Sequence, residues 1–265
     1  MLKPSLPTNA SELRLSVRRF MSIRSERVPV EHDPISFLAE RGFECYIFGG
    51  AIRDIALQGA HAKPRDLDIV IRGGSVEKLN ECLGDWVKRK TRFGGLKLVT
   101  QYEFFDIWPA AETWAFKEFP LYGSDPEDLP RTTPFNIEAI VVSTKASPGK
   151  GREVFEDGFF KSLATRTIDS NFEMHESAEL TILRALVTAY KTEFLLSAGL
   201  VARLSILANF VDIDQIQNVS ETHYGFEYFS DQQLDVVLKS LKLHQCWKPR
   251  SSFRMPIFKQ MDFDY

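Results

Sequence analysis

Three cysteines in 265 residues are too few and too widely spaced to cross-link this chain into a stable framework. Cys45, Cys82 and Cys246 are odd in number and far apart, which argues against a disulfide framework and against a zinc site. The five histidines are scattered without metal-ligand spacing. No apolar run approaches the ~20 residues that are needed to cross a bilayer. The sequence therefore predicts a cytoplasmic protein with no membrane partner.

A global excess of basic residues is also missing. The formal net charge is −3, so no overall field attracts nucleic acid, and any RNA contact must come from local patches. Hydrophobic residues make up 44% of the chain, which suits one large or two small globular domains. The sequence does not fix an oligomeric state.

The first 34 residues form a basic N-terminal extension, in which six cations face two acids within residues 1–30. We interpret it as a surface helix with an apolar face and with its arginines in water. An organelle transit peptide and an RNA-contacting arm are the alternatives. The apolar face consists of Leu13, Val17 and Phe20, and the cations are Lys3, Arg14, Arg18, Arg19, Arg24 and Arg27.

The most informative segment joins a glycine pair to two acids. Gly49 and Gly50 allow close backbone approach to a phosphate, and the helix predicted to follow them points its free N–H groups at the anion. Asp66 and Asp68 alternate with apolar residues, so on a strand they share one face. Two adjacent carboxylates favour a bridging cation such as Mg²⁺. A plain turn and a solvated strand end are the alternatives, but both elements in this order favour a nucleotide site.

A third acid lies inside an apolar run. Asp106 stands between Phe105 and Ile107, where an unpaired charge is costly. Completion of a two-metal cluster explains its presence, whereas a strand-end aspartate that faces water is the alternative.

These residues resemble the head and neck of the polymerase-β superfamily, specifically the tRNA nucleotidyltransferase (CCA-adding) and poly(A) polymerase family. The ordered set is more specific than any single motif. The four matching stretches are residues 49–54 (Gly-Gly-Ala-Ile-Arg-Asp), 66–69 (Asp-Leu-Asp-Ile), Arg131 with 135–139 (Phe-Asn-Ile-Glu-Ala) and 181–186 (Thr-Ile-Leu-Arg-Ala-Leu). Residues 154–158 (Val-Phe-Glu-Asp-Gly) stand where the family has an Asp-Pro-Phe-Gly-Gly turn.

The resemblance implies an α+β fold. A polymerase-β-type nucleotidyltransferase head, with a mixed sheet and flanking helices, would occupy residues 35–157, and an all-helical neck and C-terminal domain would occupy residues 158–265. It also implies an enzyme that moves an NMP from an NTP to an acceptor hydroxyl and releases pyrophosphate. Two Mg²⁺ ions would be held by the catalytic residues Asp66, Asp68 and Asp106.

The same resemblance assigns nucleotide contacts. The residues are Gly49, Gly50, Arg53, Arg131 and Arg184. For Arg131 and Arg184 the alternative is a structural ion pair between head and neck. Lys97 is a further candidate for phosphate binding, and for both Arg53 and Lys97 an ordinary surface cation is the alternative. Asn136 and Glu138 are expected to support the fold.

The departures from the family pattern concern base selection. The family carries Glu-Asp-x-x-Arg in its neck, and the corresponding positions here are Ser177, Ala178 and Thr181. These residues cannot supply a carboxylate–guanidinium pair to a base edge, so we expect a nucleotide preference that is broad or unlike CTP followed by ATP. The chain also stops at Tyr265, which leaves little room for the family's helical body and tail.

The acceptor stays open at this point. An RNA 3′ end is the expectation from the family, whereas a protein or a small molecule is chemically equivalent. A non-catalytic module for nucleotide sensing or partner binding is the rival from another class, although all three acidic positions are filled.

Hydrophobic periodicity predicts the elements that carry these residues. Asp212 and Asp214 repeat the Asp-x-Asp spacing, but we interpret them as a helix cap or turn. The aromatic residues 247–265 are expected to dock on the body or on a partner. Predicted strands are 44–48, 66–71, 86–91, 96–100, 103–108 and 136–143, and predicted helices are 35–41, 51–57, 75–83, 178–190, 200–210 and 234–243.

Overall fold

The computed structural model describes residues 5–91, 94–118, 123–172 and 177–244, so the aromatic segment 247–265 lies outside the described residues. The chain forms two compact units, Met1–Ala164 and Thr165–Tyr265. Within the described ranges, no helix combines the length and the apolarity that crossing a membrane requires.

The first unit is built on a mixed sheet, as predicted, and β7 (Val154–Glu156) brings the number of its strands to seven, one more than expected. Its strand order is β3-β4-β5-β2-β1-β6-β7, and the pair β2–β5 is parallel whereas the other neighbours are antiparallel. The strands are β1 (Glu44–Phe48), β2 (Leu67–Arg72), β3 (Val87–Lys90), β4 (Leu96–Val99), β5 (Phe104–Pro109), β6 (Ile140–Ser143) and β7 (Val154–Glu156). The helices are α1 (Ala10–Arg27), α2 (Pro34–Glu40), α3 (Gly50–Gln58), α4 (Val76–Leu83), α5 (Trp114–Glu118) and α6 (Phe159–Thr165).

The central strands are buried on both faces. Ile69 of β2 is fully buried on one face, whereas Val70 points to the opposite face and joins an apolar cluster with Tyr46 and Leu129. Asp68 shares the face of Val70, because residues two apart on a strand point the same way. The acidic motif is therefore placed beside an apolar cluster.

The N-terminal helix confirms the predicted apolar face, since Leu13, Val17 and Phe20 of α1 are buried. The expectation that its arginines lie in water is wrong for Arg24, which is 1% exposed. Its guanidinium pairs with Asp33 at 2.7 Å and with Glu103 at 2.8 Å. One carboxylate near it in sequence and one far from it thus compensate the charge of this buried cation.

Four predicted strands begin later than expected, and those predicted from residues 66 and 103 begin one residue later, at Leu67 and Phe104, so that Asp66 lies just before its strand. The strand predicted over residues 136–143 starts at Ile140, because Asn136–Glu138 form a 3₁₀ turn. The N–H of Glu138 donates to the carbonyl of Phe135 at 3.0 Å, which closes that turn. The strand predicted over residues 86–91 starts at Val87, after the 3₁₀ turn Gly84–Trp86.

The second unit is mainly helical. Its helices are α7 (Ala178–Thr192), α8 (Ala198–Leu207), α9 (Ile213–Tyr224) and α10 (Asp231–His244). The expectation of an all-helical domain needs one correction, since the two-residue strands β8 (Thr167–Ile168) and β9 (Leu195–Leu196) pair in parallel. Asp212 caps α9, as predicted.

Candidate active site

Three charged side chains stand in a row across neighbouring strands. Lys97 of β4 is the register partner of Asp106 of β5, and Asp106 is in turn the partner of Asp68 of β2. Side chains at paired positions project from the same face of a sheet. The fold therefore brings Asp68 and Asp106 together, although 37 residues lie between them in the sequence.

Asp68 carries the strongest electrostatic perturbation at this face. Burial beside the apolar cluster raises the pKa of Asp68 to about 8, and the negative charges of Asp66, Asp106 and Glu138 push it in the same direction. The Asp68 carboxylate forms no ion pair with any residue that the structure describes. A cation at this position would relieve both the burial and the repulsion.

Asp106 divides its two oxygens between different environments. Its Oδ2 lies 3.3 Å from Nζ of Lys97. Its Oδ1 is buried and has no hydrogen-bond partner among the residues that the structure describes. Burial raises the pKa of Asp106, while the neighbouring Lys97 lowers it. A buried carboxylate oxygen without a partner is costly, and it is the kind of donor that Mg²⁺ accepts.

Asp66 precedes β2 and is held by its sequence neighbour. Arg65 donates to Oδ2 of Asp66 from Nη2 at 2.9 Å and from Nε at 3.2 Å. Among the described residues, no three acidic, histidine or cysteine side chains are arranged to hold a metal ion. Asp66 is paired with Arg65, and Oδ2 of Asp106 is paired with Lys97. The carboxylate of Asp68 and Oδ1 of Asp106 are oxygen donors of the kind that a divalent ion such as Mg²⁺ binds.

The glycine pair opens a helix, as predicted. Gly49 is the N-cap of α3, and its φ of 65° lies in the left-handed region that favours glycine. Its N–H donates to the carbonyl of Ile140 at 2.9 Å, which ties the turn to β6. Because Ile47 pairs with Ile69, the end of β1 and the start of β2 meet at one edge of the sheet. The N-terminus of α3 and the acidic motif therefore lie at the same end of these strands.

Arg53 is bound to carboxylates within the fold. It is 7% exposed, its Nη2 lies 2.8 Å from Asp54, and its Nη1 forms an ion pair with Glu138. The 3₁₀ turn that replaced a predicted strand is what delivers Glu138 to this position. This result supports a positioning role for Arg53, whereas its contact with nucleotide stays a prediction.

The other two predicted arginines differ in setting. Arg131 lies in the 3₁₀ segment Pro126–Thr132, and its side chain is exposed. It forms no ion pair with any described residue. Arg184 lies on α7 of the second unit and is partly buried. The nucleotide roles of both residues stay predictions.

The positions that differ from the family pattern are used for local structure. The Ser177 hydroxyl caps α7 by accepting from the N–H of Leu180 at 3.4 Å. The Thr181 hydroxyl donates to the carbonyl of Ser177 at 3.0 Å, and Thr181 is 7% exposed. Both hydroxyls are therefore committed to the first turn of the helix.

Sequence reasoning missed Arg65 as a partner of the acidic motif. It also missed the electrostatic role of Glu138. The signal for Arg65 was its position directly before Asp66, whereas the position of Glu138 depends on a turn that resembled a strand.

Comparison with known proteins finds similar folds among solved structures. No protein-family profile matches the chain, and no curated protein matches its sequence. A Thermotoga maritima CCA-adding enzyme complexed with tRNA is similar in structure, with a TM-score of 0.58 and 18% identity over 86% of this chain and 54% of that one. A CCA-adding enzyme with CTP has a TM-score of 0.58 and 17% identity over 90% of this chain and 56% of that one.

A third solved structure extends the likeness. A tRNA nucleotidyltransferase complexed with a primer tRNA and an incoming ATP analogue has a TM-score of 0.51 and 20% identity over 81% of this chain and 70% of that one. The chain thus has the α+β fold of the tRNA nucleotidyltransferases, and the predicted resemblance to their head and neck is confirmed at the level of fold. It spans about half the length of the first two of these enzymes.

Proposed function

We propose that this chain is a Mg²⁺-dependent nucleotidyltransferase, which moves an NMP from an NTP to the 3′ hydroxyl of an RNA and releases pyrophosphate. The observation that carries the proposal is the pairing of Asp68 with Asp106 at the edge of the sheet where α3 begins. Two carboxylates beside a helix N-terminus can serve a metal-bound triphosphate, because one part attracts the cation and the other the anion.

The protein groups have distinct tasks in this proposal. Asp68, Asp106 through Oδ1, and Asp66 once it is released from Arg65 would hold Mg²⁺. Mg²⁺ supplies charge neutralisation on the pyrophosphate and a lower pKa for the acceptor hydroxyl. Gly49, Gly50 and the free N–H groups of α3 bind the triphosphate.

The reaction is attack by the acceptor oxygen on the α-phosphorus. The bond from that phosphorus to the bridging oxygen breaks, pyrophosphate leaves, and the hydroxyl proton passes to solvent. Arg53 contributes by fixing Glu138 and the start of α3, so that the glycine turn keeps its conformation.

An RNA acceptor is supported by the structural neighbours, since two of them are described in complex with tRNA or a primer tRNA. The choice of base is a separate matter. Ser177, Ala178 and Thr181 provide no charged pair to read a base edge, and the two hydroxyls are bound to the helix backbone. We therefore propose a broad nucleotide preference rather than ordered addition of C, C and A.

The test is transfer of label from each α-³²P NTP, with Mg²⁺, to total cellular RNA. Wild type is compared with Asp68→Asn and with Asp214→Asn, a matched control that removes an exposed acid on α9. Label in RNA with wild type and Asp214→Asn, but not with Asp68→Asn, is expected. The distribution among the four nucleotides then shows the base preference.

Other outcomes identify the competing functions. Label in protein or in a small molecule would replace the RNA acceptor while keeping the transferase. Nucleotide binding without transfer to any acceptor would contradict the enzyme and favour a sensing module.

A further inference from the structure

Lys97 is a positively charged side chain directly beside Asp106, one of the proposed metal ligands. It stands at one end of the row Lys97–Asp106–Asp68, in register on three adjacent strands. Its Nζ is 3.3 Å from Oδ2 of Asp106, and both side chains are partly buried, at 31% and 25% exposure. A lysine paired with an acid at this depth is screened less than a surface pair.

The pairing leaves one oxygen of Asp106 for another ligand. Because Lys97 holds Oδ2, the carboxylate can offer a metal ion only Oδ1, which is buried and has no hydrogen-bond partner within the described part of the chain. A divalent ion on Oδ1 would then lie a few ångströms from a lysine ammonium. Two like charges at such a distance repel each other even in a polar environment.

We propose that Lys97 acts as an internal counter-cation, which weakens divalent-ion binding in the absence of nucleotide and thereby couples metal loading to NTP binding. The inference rests on the proposed function. A triphosphate bound at the start of α3 brings negative charge to the same edge of the sheet, and this charge offsets the repulsion between Lys97 and the metal ion. Lys97 is thus a positioning residue, which acts through Asp106.

The experiment measures Mn²⁺ binding to the full chain by electron paramagnetic resonance, since Mn²⁺ takes the same carboxylate ligands as Mg²⁺. Wild type is compared with Lys97→Met, which removes the charge, and with Lys97→Arg, which keeps it. Lys239→Met is the matched control, because Lys239 also pairs with an acid, Asp235 at 2.7 Å, on an exposed helix face.

Without nucleotide, Lys97→Met is expected to bind Mn²⁺ about tenfold more tightly than wild type, which corresponds to about 1.4 kcal/mol. Lys97→Arg and Lys239→Met are expected to match wild type. With a non-transferable NTP analogue, the gap between Lys97→Met and wild type is expected to shrink. In an Asp106→Asn background, the substitution at Lys97 is expected to have a much smaller effect, as the two residues act as a pair.

Other results would overturn the inference about Lys97 or the proposed function. Equal or weaker Mn²⁺ binding by Lys97→Met, or a gap that nucleotide leaves unchanged, would overturn the inference even in a chain that transfers nucleotide. Failure of wild type both to transfer nucleotide and to bind Mn²⁺ with nucleotide present would overturn the proposed function as well. Thermal unfolding of each variant distinguishes a local effect from loss of the fold.

Discussion

The chain contains the spacing Asp-x-Asp twice, once at Asp66 and Asp68 and once at Asp212 and Asp214. In the first, Asp68 lies in a strand and faces Asp106 on the neighbouring strand. In the second, Asp212 is the N-cap of α9, where it forms a capping box with Gln215. Residues two apart share a face on a strand but not on a helix. The Asp-x-Asp spacing alone therefore does not distinguish the two motifs, and the first differs because β2 sets Asp68 beside Asp106.

The largest expected effect concerns Asp106, which lies beside Asp68 of the first motif. We expect Asp106→Asn to lower nucleotidyl transfer about 10³-fold, since an amide cannot supply the charge that metal-assisted transfer needs. The measurement is the initial rate of transfer at saturating Mg²⁺.

Asp235→Asn is the control for this substitution. It also breaks an aspartate–lysine pair, but on the exposed face of α10. Its rate is expected to stay within about twofold of wild type, as exposed pairs contribute little. An Asp106→Asn variant that retains the wild-type rate would remove Asp106 from the site.

The next largest effect is expected for Arg53, whose ion pairs stabilise the start of α3 near the first motif. We expect Arg53→Met to lower the free energy of unfolding by about 3–5 kcal/mol, because it removes a buried guanidinium that forms ion pairs with Glu138 and Asp54. Urea unfolding monitored by circular dichroism measures the change.

Arg131 separates a structural role from a nucleotide role. Arg131→Met removes an exposed arginine, and we expect it to change the free energy of unfolding by less than about 0.5 kcal/mol. If Arg131 binds nucleotide, the KM for NTP rises without loss of stability. A large loss of stability in Arg131→Met together with none in Arg53→Met would reverse the assignment.

The two motifs should also differ in their response to pH. Because the pKa of Asp68 is raised from 3.8 to about 8 in the folded protein, the folded state binds the proton more tightly than the unfolded state does. Stability without a divalent ion should therefore fall as the pH rises from about 4 to 8. Asp68→Asn removes this dependence and should exceed wild type in stability by about 3 kcal/mol, to order of magnitude, at pH 8.

Melting temperatures of both proteins in EDTA between pH 4 and 8 measure this difference. The gap should be largest at pH 8 and should narrow toward pH 4, close to the pKa of 3.8 that Asp68 has in the unfolded chain. Added Mg²⁺ should stabilise wild type more than Asp68→Asn at pH 8. A gap that is constant across the range would contradict the raised pKa.

Features that depend on local sequence patterns could be predicted, whereas contacts between residues far apart in the sequence could not. Asp68 and the glycine turn are set by local spacing, and Asp106 stood out as a charge within an apolar run, so the paired acids were predictable. The burial of Arg24 was not, because its two partners, Asp33 and Glu103, converge only in the folded chain. The turn Asn136–Glu138 was missed because its alternating pattern also suits a strand.

The smallest effect belongs to the second motif. We expect Asp212→Ala to lower the free energy of unfolding by about 1 kcal/mol, because the capping side chain accepts from the N–H of Gln215 at 2.8 Å. The rate of nucleotidyl transfer should not change where the variant remains folded. Asp212→Ser is the matched variant, since serine is also a good N-cap and should restore most of the stability. Loss of transfer in Asp212→Ser, at wild-type stability, would show that the second motif has a chemical role after all, and the contrast between strand and helix would no longer separate the two.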